Sequence, residues 1–412
     1  MPDDNAAFPV MELTSANAAT LSAHYPFAVR QALKLATHIE AGQLELRLPD
    51  GCAYRITGGK PGPHAMMVIR DLDFASTLSQ GEIGIAESFL RGQWDSPDLT
   101  AFLELFCVNQ PFLERLMDGK PLVRLLQMAR HWMNRNTKAG SRRNIHAHYD
   151  LGNNFYSAWL DGSMTYSSAL FDESRDLVAG QQRKYAALAE RTAIGPDHHV
   201  LEIGCGWGGF AEYAAREIGC KVTGLTISKE QYDFACKRIF EAGLNDKVDL
   251  KLQDYRDETG AYDRIASIEM FEAVGEEYWP AYFQQVRERL KPGGFAGIQV
   301  ITIEESLFGR YRRELDFIRR YVFPGGMLPT GAIMRDLGAK VGLSLHNERI
   351  FGRDYALTLV HWRERFREAW PTLTPLGFDE RFRRLWEYYL AYCEAGFRAG
   401  TIDVRQMVFA RA

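Results

Sequence analysis

The chain has 412 residues, 46% hydrophobic, 25% charged and 12% aromatic, which predicts two or three domains around a sizeable core and excludes disordered, collagen-like and disulfide-scaffold classes. With 49 Lys+Arg against 53 Asp+Glu the net charge is -4, so no nucleic-acid partner is expected and attraction to an anionic surface must come from local clustering. Six scattered cysteines, Cys52, Cys107, Cys205, Cys220, Cys236 and Cys393, form no C-x-x-C and no His/Cys ladder, which argues against a metal site and reads as a reduced, cytoplasmic protein. The start, Met1 to Asn5, is acidic where a signal peptide is basic. No run of ~18 apolar residues occurs, so any work on a membrane is expected from outside it.

Residues 1–20 are polar and Ala-rich and read as a flexible leader, with order expected from near Pro26. Leu44 to Leu48 alternates apolar with charged residues before Pro49-Asp50-Gly51, the pattern of a half-buried strand entering a turn, and Ala53 to Ile56 should follow as its partner. Met66 to Ile69 reads as a further strand, Asp73 to Leu78 as a short helix, and Leu99 to Leu116 as a helix started by Ser96-Pro97-Asp98. Residues 21–117 therefore form a small α+β unit. Between Asp118 and Asp150 there is no acid, while Lys120, Arg124, Arg130, Arg135, Lys138, Arg142 and Arg143 are basic. Residues 118–147 read as a basic linker helix region, either a solvated helix or a patch for anionic lipid headgroups.

From Ile194 the pattern becomes strand, helix, strand, helix: His199 to Ile203, Phe210 to Arg216, Lys221 to Leu225, Ser228 to Phe240, then strands at Val248 to Leu252, Ile265 to Ile268 and Phe295 to Ile301. Such alternation predicts an α/β fold with a doubly wound parallel sheet. The aromatic-rich tail from Trp362 to Phe397 reads as amphipathic helices closing over that sheet.

Glycines at 204, 206 and 208 let the backbone turn out of the first of these strands and approach a ligand at the next helix start. A dinucleotide enzyme should carry an acid ~20 residues on. Here that position reads Gly224-Leu225-Thr226, and the acid instead precedes the glycines in Glu202-Ile203-Gly204-Cys205-Gly206. That form resembles the nucleoside-methionine loop of S-adenosylmethionine-dependent methyltransferases; a nicotinamide site and a purely structural turn are the competing readings.

Several co-linear blocks together resemble the cyclopropane fatty acid synthase family, including the mycolic acid cyclopropane synthases. They include His148 to Tyr156, Met164 to Ser168, Val200 to Gly209, Gln253 to Asp257, Met270 to Gly275, Tyr321 to Gly326, Phe351 to Tyr355 and Tyr388 to Phe397. The resemblance implies a Rossmann-like class I methyltransferase sheet over residues 148–412 with a helical C-terminal cap, preceded by a small lipid-carrier-like domain. It further implies transfer of a sulfonium methyl to the double bond of an unsaturated acyl chain in membrane phospholipid.

By the same resemblance, Tyr166, Ser167, Gly204, Gly206, Thr226, Gln231, Asp254 and Tyr255 are cofactor contacts, Asp254 having a turn-forming role as its rival reading. In the family a bicarbonate ion removes a proton from the added methyl, and its binding set maps to Ser168, Glu272, Gln299, Ile301 through its backbone, and Tyr355. Ser168 stands where cysteine is usual, and Gln299 and Ala273 where histidines are. Glutamine donates a hydrogen bond but cannot relay a proton. The expected product is therefore a methyl-branched, unsaturated chain ahead of a cyclopropane. A reductase acting on that product, a homodimer and peripheral attachment to the inner membrane face are the partners expected; a non-catalytic lipid-binding protein and a soluble-substrate methyltransferase are rival classes. Either Glu269 or Glu272 could be the base. Glu272 is preferred because its block matches, and a salt-bridge role competes for Glu269.

Overall fold

The computed structural model describes residues 9–109 and 151–412. The far end of the Leu99 to Leu116 helix, the basic region 118–147 and the His148 to Asp150 block lie outside the described residues. The chain divides into two units, residues 1–127 with 377–399, and residues 128–376 with 400–412.

The first unit holds a five-stranded sheet in the order β1-β3-β2-β4-β5, formed by β1 (Val10–Glu12), β2 (Ala41–Arg47), β3 (Ala53–Thr57), β4 (Lys60–Ile69) and β5 (Trp94–Asp95). The alternation at Leu44, Leu46 and Leu48 does put those side chains in the core, with Gln43 to Arg47 paired antiparallel to Thr57 to Ala53. The leader is ordered from residue 9 rather than from Pro26. Val10, Met11 and Glu12 pair in parallel with Ala53, Tyr54 and Arg55, and Leu13 and Ala18 are buried. The free edge of β3 recruits this short segment, a tertiary cause with little local signature.

The helix Leu99–Val108 starts as expected at Asp98, whose side chain accepts the Ala101 N–H at 2.9 Å. The helix Glu380–Ala399 belongs to this first unit and does not cap the methyltransferase-type sheet. Its Glu394 accepts a hydrogen bond from Thr100 at 2.9 Å, and its Arg384 donates to the Phe89 carbonyl at 2.6 Å. Amphipathic spacing identified its buried face, with Trp386, Tyr388 and Leu390 inside, but spacing does not name what a face packs against.

The second unit is a seven-stranded sheet in the order β11-β12-β10-β9-β6-β7-β8. Its parallel part comprises β6 (His199–Ile203), β7 (Lys221–Thr226), β8 (Val248–Leu252), β9 (Tyr262–Ile268) and β10 (Leu290–Ile303). The order reverses beside β6, with β7 on one side and β9 on the other, which creates a crevice at the carboxyl ends of these strands. Two strands absent from the sequence reading, β11 (Leu343–Ile350) and β12 (Ile402–Arg411), close one side antiparallel, so the sheet is parallel-rich rather than all parallel. The β10–β12 register sets Gln299 opposite Gln406, and β9–β10 sets Ile268 opposite Gln299. The helix Gly352–Leu373 belongs to this unit and buries Tyr355, Leu359 and Trp362.

Candidate active site

The strand β6 ends in Gly204, Gly206 and Gly208, with φ of 82°, 52° and 82°. Gly204 and Cys205 both donate their N–H to the Leu225 carbonyl, at 3.0 and 2.8 Å, which folds the chain sharply back over β7. A Cβ on Gly204 would lie 2.6 Å from Met270 Cγ, whereas one on Gly206 would meet nothing within 4 Å. The turn is thus tight on its protein side and open at its crest, a cradle that suits close approach of a ligand.

At the end of β7, the Thr226 hydroxyl donates to Gln231 Oε1 at 2.9 Å, and Ser228 caps the helix Lys229–Glu241. At the end of β8, Asp254 accepts from the Arg256 backbone N–H at 3.0 Å and from its guanidinium at 2.8 and 2.6 Å. Its carboxylate therefore does the turn-forming work that was the rival to an adenine contact. Beside it the buried Tyr255 hydroxyl has no partner among the described residues, and burial pushes its pKa up.

On the facing side, Met164, at φ 54°, leads into Thr165 to Ser168. The Tyr166 ring packs among Tyr156, Trp159 and Trp362, with centroids 5.5, 5.6 and 5.2 Å away, and Trp362 meets the Tyr355 ring at 6.0 Å. Ser167 is clamped from one face of the helix Leu177–Arg191: Gln181 donates to its carbonyl at 2.9 Å, and the Lys184 ammonium donates to its hydroxyl at 2.6 Å. Lys184 is wholly buried, which lowers its pKa to about 7 against the opposing pull of Glu269, Asp161 and Glu202. Sequence reasoning passed over Gln181 and Lys184. The available signal was a lysine on the apolar face, spaced with Leu177, Gly180 and Leu188, where lysine is rarely placed without a partner.

The two carboxylates differ. Glu269, at the exit of β9, accepts Ser168 N–H (2.9 Å) and Gln299 Nε2–H (2.8 Å) on Oε1, and the Tyr355 hydroxyl (2.6 Å) on Oε2. Gln299 is fixed in turn by Gln406, which donates to its Oε1 at 3.0 Å and to the Lys184 carbonyl at 3.1 Å. Glu272 accepts only the Ile301 N–H at 2.5 Å on Oε1, and its buried Oε2 has no partner among the described residues. Burial, reinforced by the nearby Glu269, raises the Glu272 pKa to about 8, and burial also raises that of Glu269. Ser168, Gln299 and Tyr355 of the expected anion set are thus brought together, but around Glu269. The Ser168 hydroxyl itself turns away to the Ala169 carbonyl at 2.9 Å, leaving its backbone as the contributing group.

The residues fit S-adenosylmethionine: an open glycine crest at the switch point, Glu202 buried beneath it with an unpartnered Oε2, and polar side chains at the ends of β7 and β8. They do not fit bicarbonate, because the three donors that would hold it are already bonded to a carboxylate of the chain itself.

This sheet order with its glycine turn defines an S-adenosylmethionine-dependent methyltransferase. The family model "Mycolic acid cyclopropane synthetase" matches residues 136–407, and the chain belongs to this family, that of the cyclopropane fatty acid synthases. It is 38% identical over 391 residues to the tuberculostearic acid methyltransferase UfaA1 of Mycobacterium tuberculosis, covering 92% of this chain and 89% of that protein. It is 36% identical over 390 residues to the cyclopropane-fatty-acyl-phospholipid synthase of Escherichia coli K12, covering 89% and 96%. Among solved structures it is similar to the cyclopropane synthase MmaA2 of Mycobacterium tuberculosis, with a TM-score of 0.62 at 30% identity, over 66% of this chain and 98% of that one. It is also similar to the mycolic acid cyclopropane synthase CmaA1 in complex with SAH and CTAB, with a TM-score of 0.61 at 27% identity, over 65% and 97%.

Proposed function

We propose that this enzyme methylates the double bond of an unsaturated acyl chain of membrane phospholipid, and that its product is a methyl-branched, still unsaturated chain in preference to a cyclopropane. The observation that carries the reading is a buried carboxylate, Glu269, hydrogen-bonded to Tyr355, whose ring adjoins an aromatic cluster, on the side of the sheet where the glycine turn opens. A methyl acceptor with an N–H or O–H can shed its proton to water. An alkene cannot, and the cation formed on it must lose a C–H proton to a group inside a site that keeps water out.

S-adenosylmethionine, when bound, supplies an electrophilic methyl on a positively charged sulfur. Tyr166, Ser167, Gly204, Gly206, Thr226, Gln231, Asp254 and Tyr255 are the residues assigned to hold it. The faces of Tyr166, Trp362 and Tyr355 stabilise a neighbouring cation by up to about 2 kcal/mol each when desolvated. Tight positioning of the alkene against the methyl group supplies the remaining rate, since the nucleophile itself is weak. The product is set by which C–H bond breaks: one on the added methyl closes a ring, one on the chain leaves an olefin. Gln299 cannot accept a proton where a histidine could, so this step rests on a carboxylate alone. The relative at 38% identity that is named a methyltransferase supports the same preference.

Peripheral attachment to the inner membrane face through Lys120 to Arg143, a reductase acting on the product, and a homodimer complete the reading. Among the described residues no helix is long and apolar enough to cross a membrane. The test is mass spectrometry with double-bond localisation on lipids from cells expressing the protein. A gain of one methylene with the olefin retained is expected. The same gain with the olefin lost refutes the preferred product, and no gain refutes lipid methylation.

A further inference from the structure

The Glu269 carboxylate is planar, doubly oxygenated and held by one backbone N–H, one amide N–H and one phenol O–H. A separate oxyanion would need the same donors. To admit one, the Glu269 side chain would have to leave, yet its backbone is pinned by its own N–H to the Gln299 carbonyl at 2.8 Å. Glu269 also sits at φ 49°, one of four non-glycine residues at positive φ among the described residues, the others being Met164, Arg175 and Ala193. Glycine would occupy that backbone without strain. A carboxylate held against the local backbone preference, with all its oxygens engaged at the site, points to a role that only the side chain performs.

Resting on the reading of the enzyme as an alkene methylase, we infer that Glu269 is the catalytic base, built into the chain, and that the enzyme needs no bicarbonate. As the C–H bond of the substrate cation breaks, its electron pair forms the new carbon–carbon bond and its proton passes to Glu269 Oε2. That oxygen accepts a single hydrogen bond, from Tyr355, whereas Oε1 accepts two. Atoms and charge then balance: the cation is neutralised and the carboxylate becomes a carboxylic acid. The proton leaves with product departure, when water reaches the site. Glu272, with its raised pKa and single N–H contact, is the neutral neighbour whose lack of charge lets Glu269 ionise.

The test compares the wild-type protein with Glu269→Gly and Glu269→Gln. The first readout is binding of 13C-labelled bicarbonate by NMR, which does not depend on turnover. Wild type should bind none, and Glu269→Gly, with its donors freed and its backbone relaxed, should bind it saturably. The second is incorporation of labelled methyl from S-adenosylmethionine into vesicles of dioleoyl phosphatidylglycerol in carbonate-free buffer. Wild type should run at the same rate with and without added bicarbonate, both variants should fall at least about a hundredfold, and added bicarbonate should restore Glu269→Gly alone. Saturable bicarbonate binding or stimulation in wild type overturns the inference, as does Glu269→Gln turning over within about threefold of wild type. Absence of methyl transfer by wild type would instead refute the lipid reading, and the binding arm would still decide the place of Glu269.

Discussion

Replacing Glu272 by glutamine gives a quantitative test of the buried electrostatics. The carboxyl is fully enclosed, keeps one oxygen on the Ile301 N–H and leaves the other without a partner, and burial with the adjacent Glu269 raises its pKa from 4.5 to about 8. Between those two values the unfolded chain has released the proton while the folded protein retains it. The stabilising contribution of the neutral carboxyl is therefore fully present below pH 4.5 and is lost as pH rises through about 8. At about 1.4 kcal/mol per pH unit over that interval, the loss amounts to about 5 kcal/mol. Glutamine has nearly the same shape, is neutral at every pH, and can still accept from Ile301. Urea unfolding of wild type and Glu272→Gln across pH 4.5 to 9 should show the variant gaining about 5 kcal/mol on wild type, with the difference levelling above pH 8. Adding Glu269→Gln should move that levelling to lower pH, because the like charge is gone. A difference that stays flat within about 1 kcal/mol would refute the assignment, since Glu272 would then be ionised in the folded protein.

Lys184→Met should behave with the opposite pH dependence. The folded pKa is lowered from 10.5 to about 7, so the cost of burying the charge is complete below pH 7 and relieved as pH rises towards 10.5, and the variant should gain up to about 5 kcal/mol on wild type at pH 6.5 but little at pH 10.5. It should also weaken cofactor binding measured by calorimetry, because Ser167 loses its donor; equal affinity would remove Lys184 from a positioning role. Gly204→Ala should lower unfolding free energy by about 1–3 kcal/mol, from a positive φ and a Cβ 2.6 Å from Met270 Cγ, and weaken S-adenosylhomocysteine binding at least about tenfold. Gly92→Ala, at φ 73° in open space, should show the backbone cost alone, and an equal effect on ligand binding would refute the role given to the turn.

What the sequence disclosed follows the range of the interactions involved. The strands β6 to β8 and the glycine turn were legible because short apolar runs between glycines carry their own signal, and because Asp98 and Ser228 cap their helices with side chains three residues from the donor they satisfy. The leader strand, β12 and the partner of the helix Glu380–Ala399 were not, since each is chosen by an edge or face made elsewhere in the chain. The site divides the same way. The segment Ile268-Glu269-Met270-Phe271-Glu272 displays two acids three residues apart, and nothing local ranks them; block matching favours Glu272. The ranking comes from Ser168, Gln299 and Tyr355, which are 101, 30 and 86 residues away from Glu269 and meet only when the helix Gly352–Leu373 and the Thr165 to Ser168 segment lie against the ends of β9 and β10. The replacement of histidine by Gln299 looked from the sequence like a loss of function in an anion site. With Glu269 supplying the carboxylate, a neutral donor is what that position requires: an imidazolium would add a titrating charge beside the base, while the amide holds it at every pH and is itself held by Gln406.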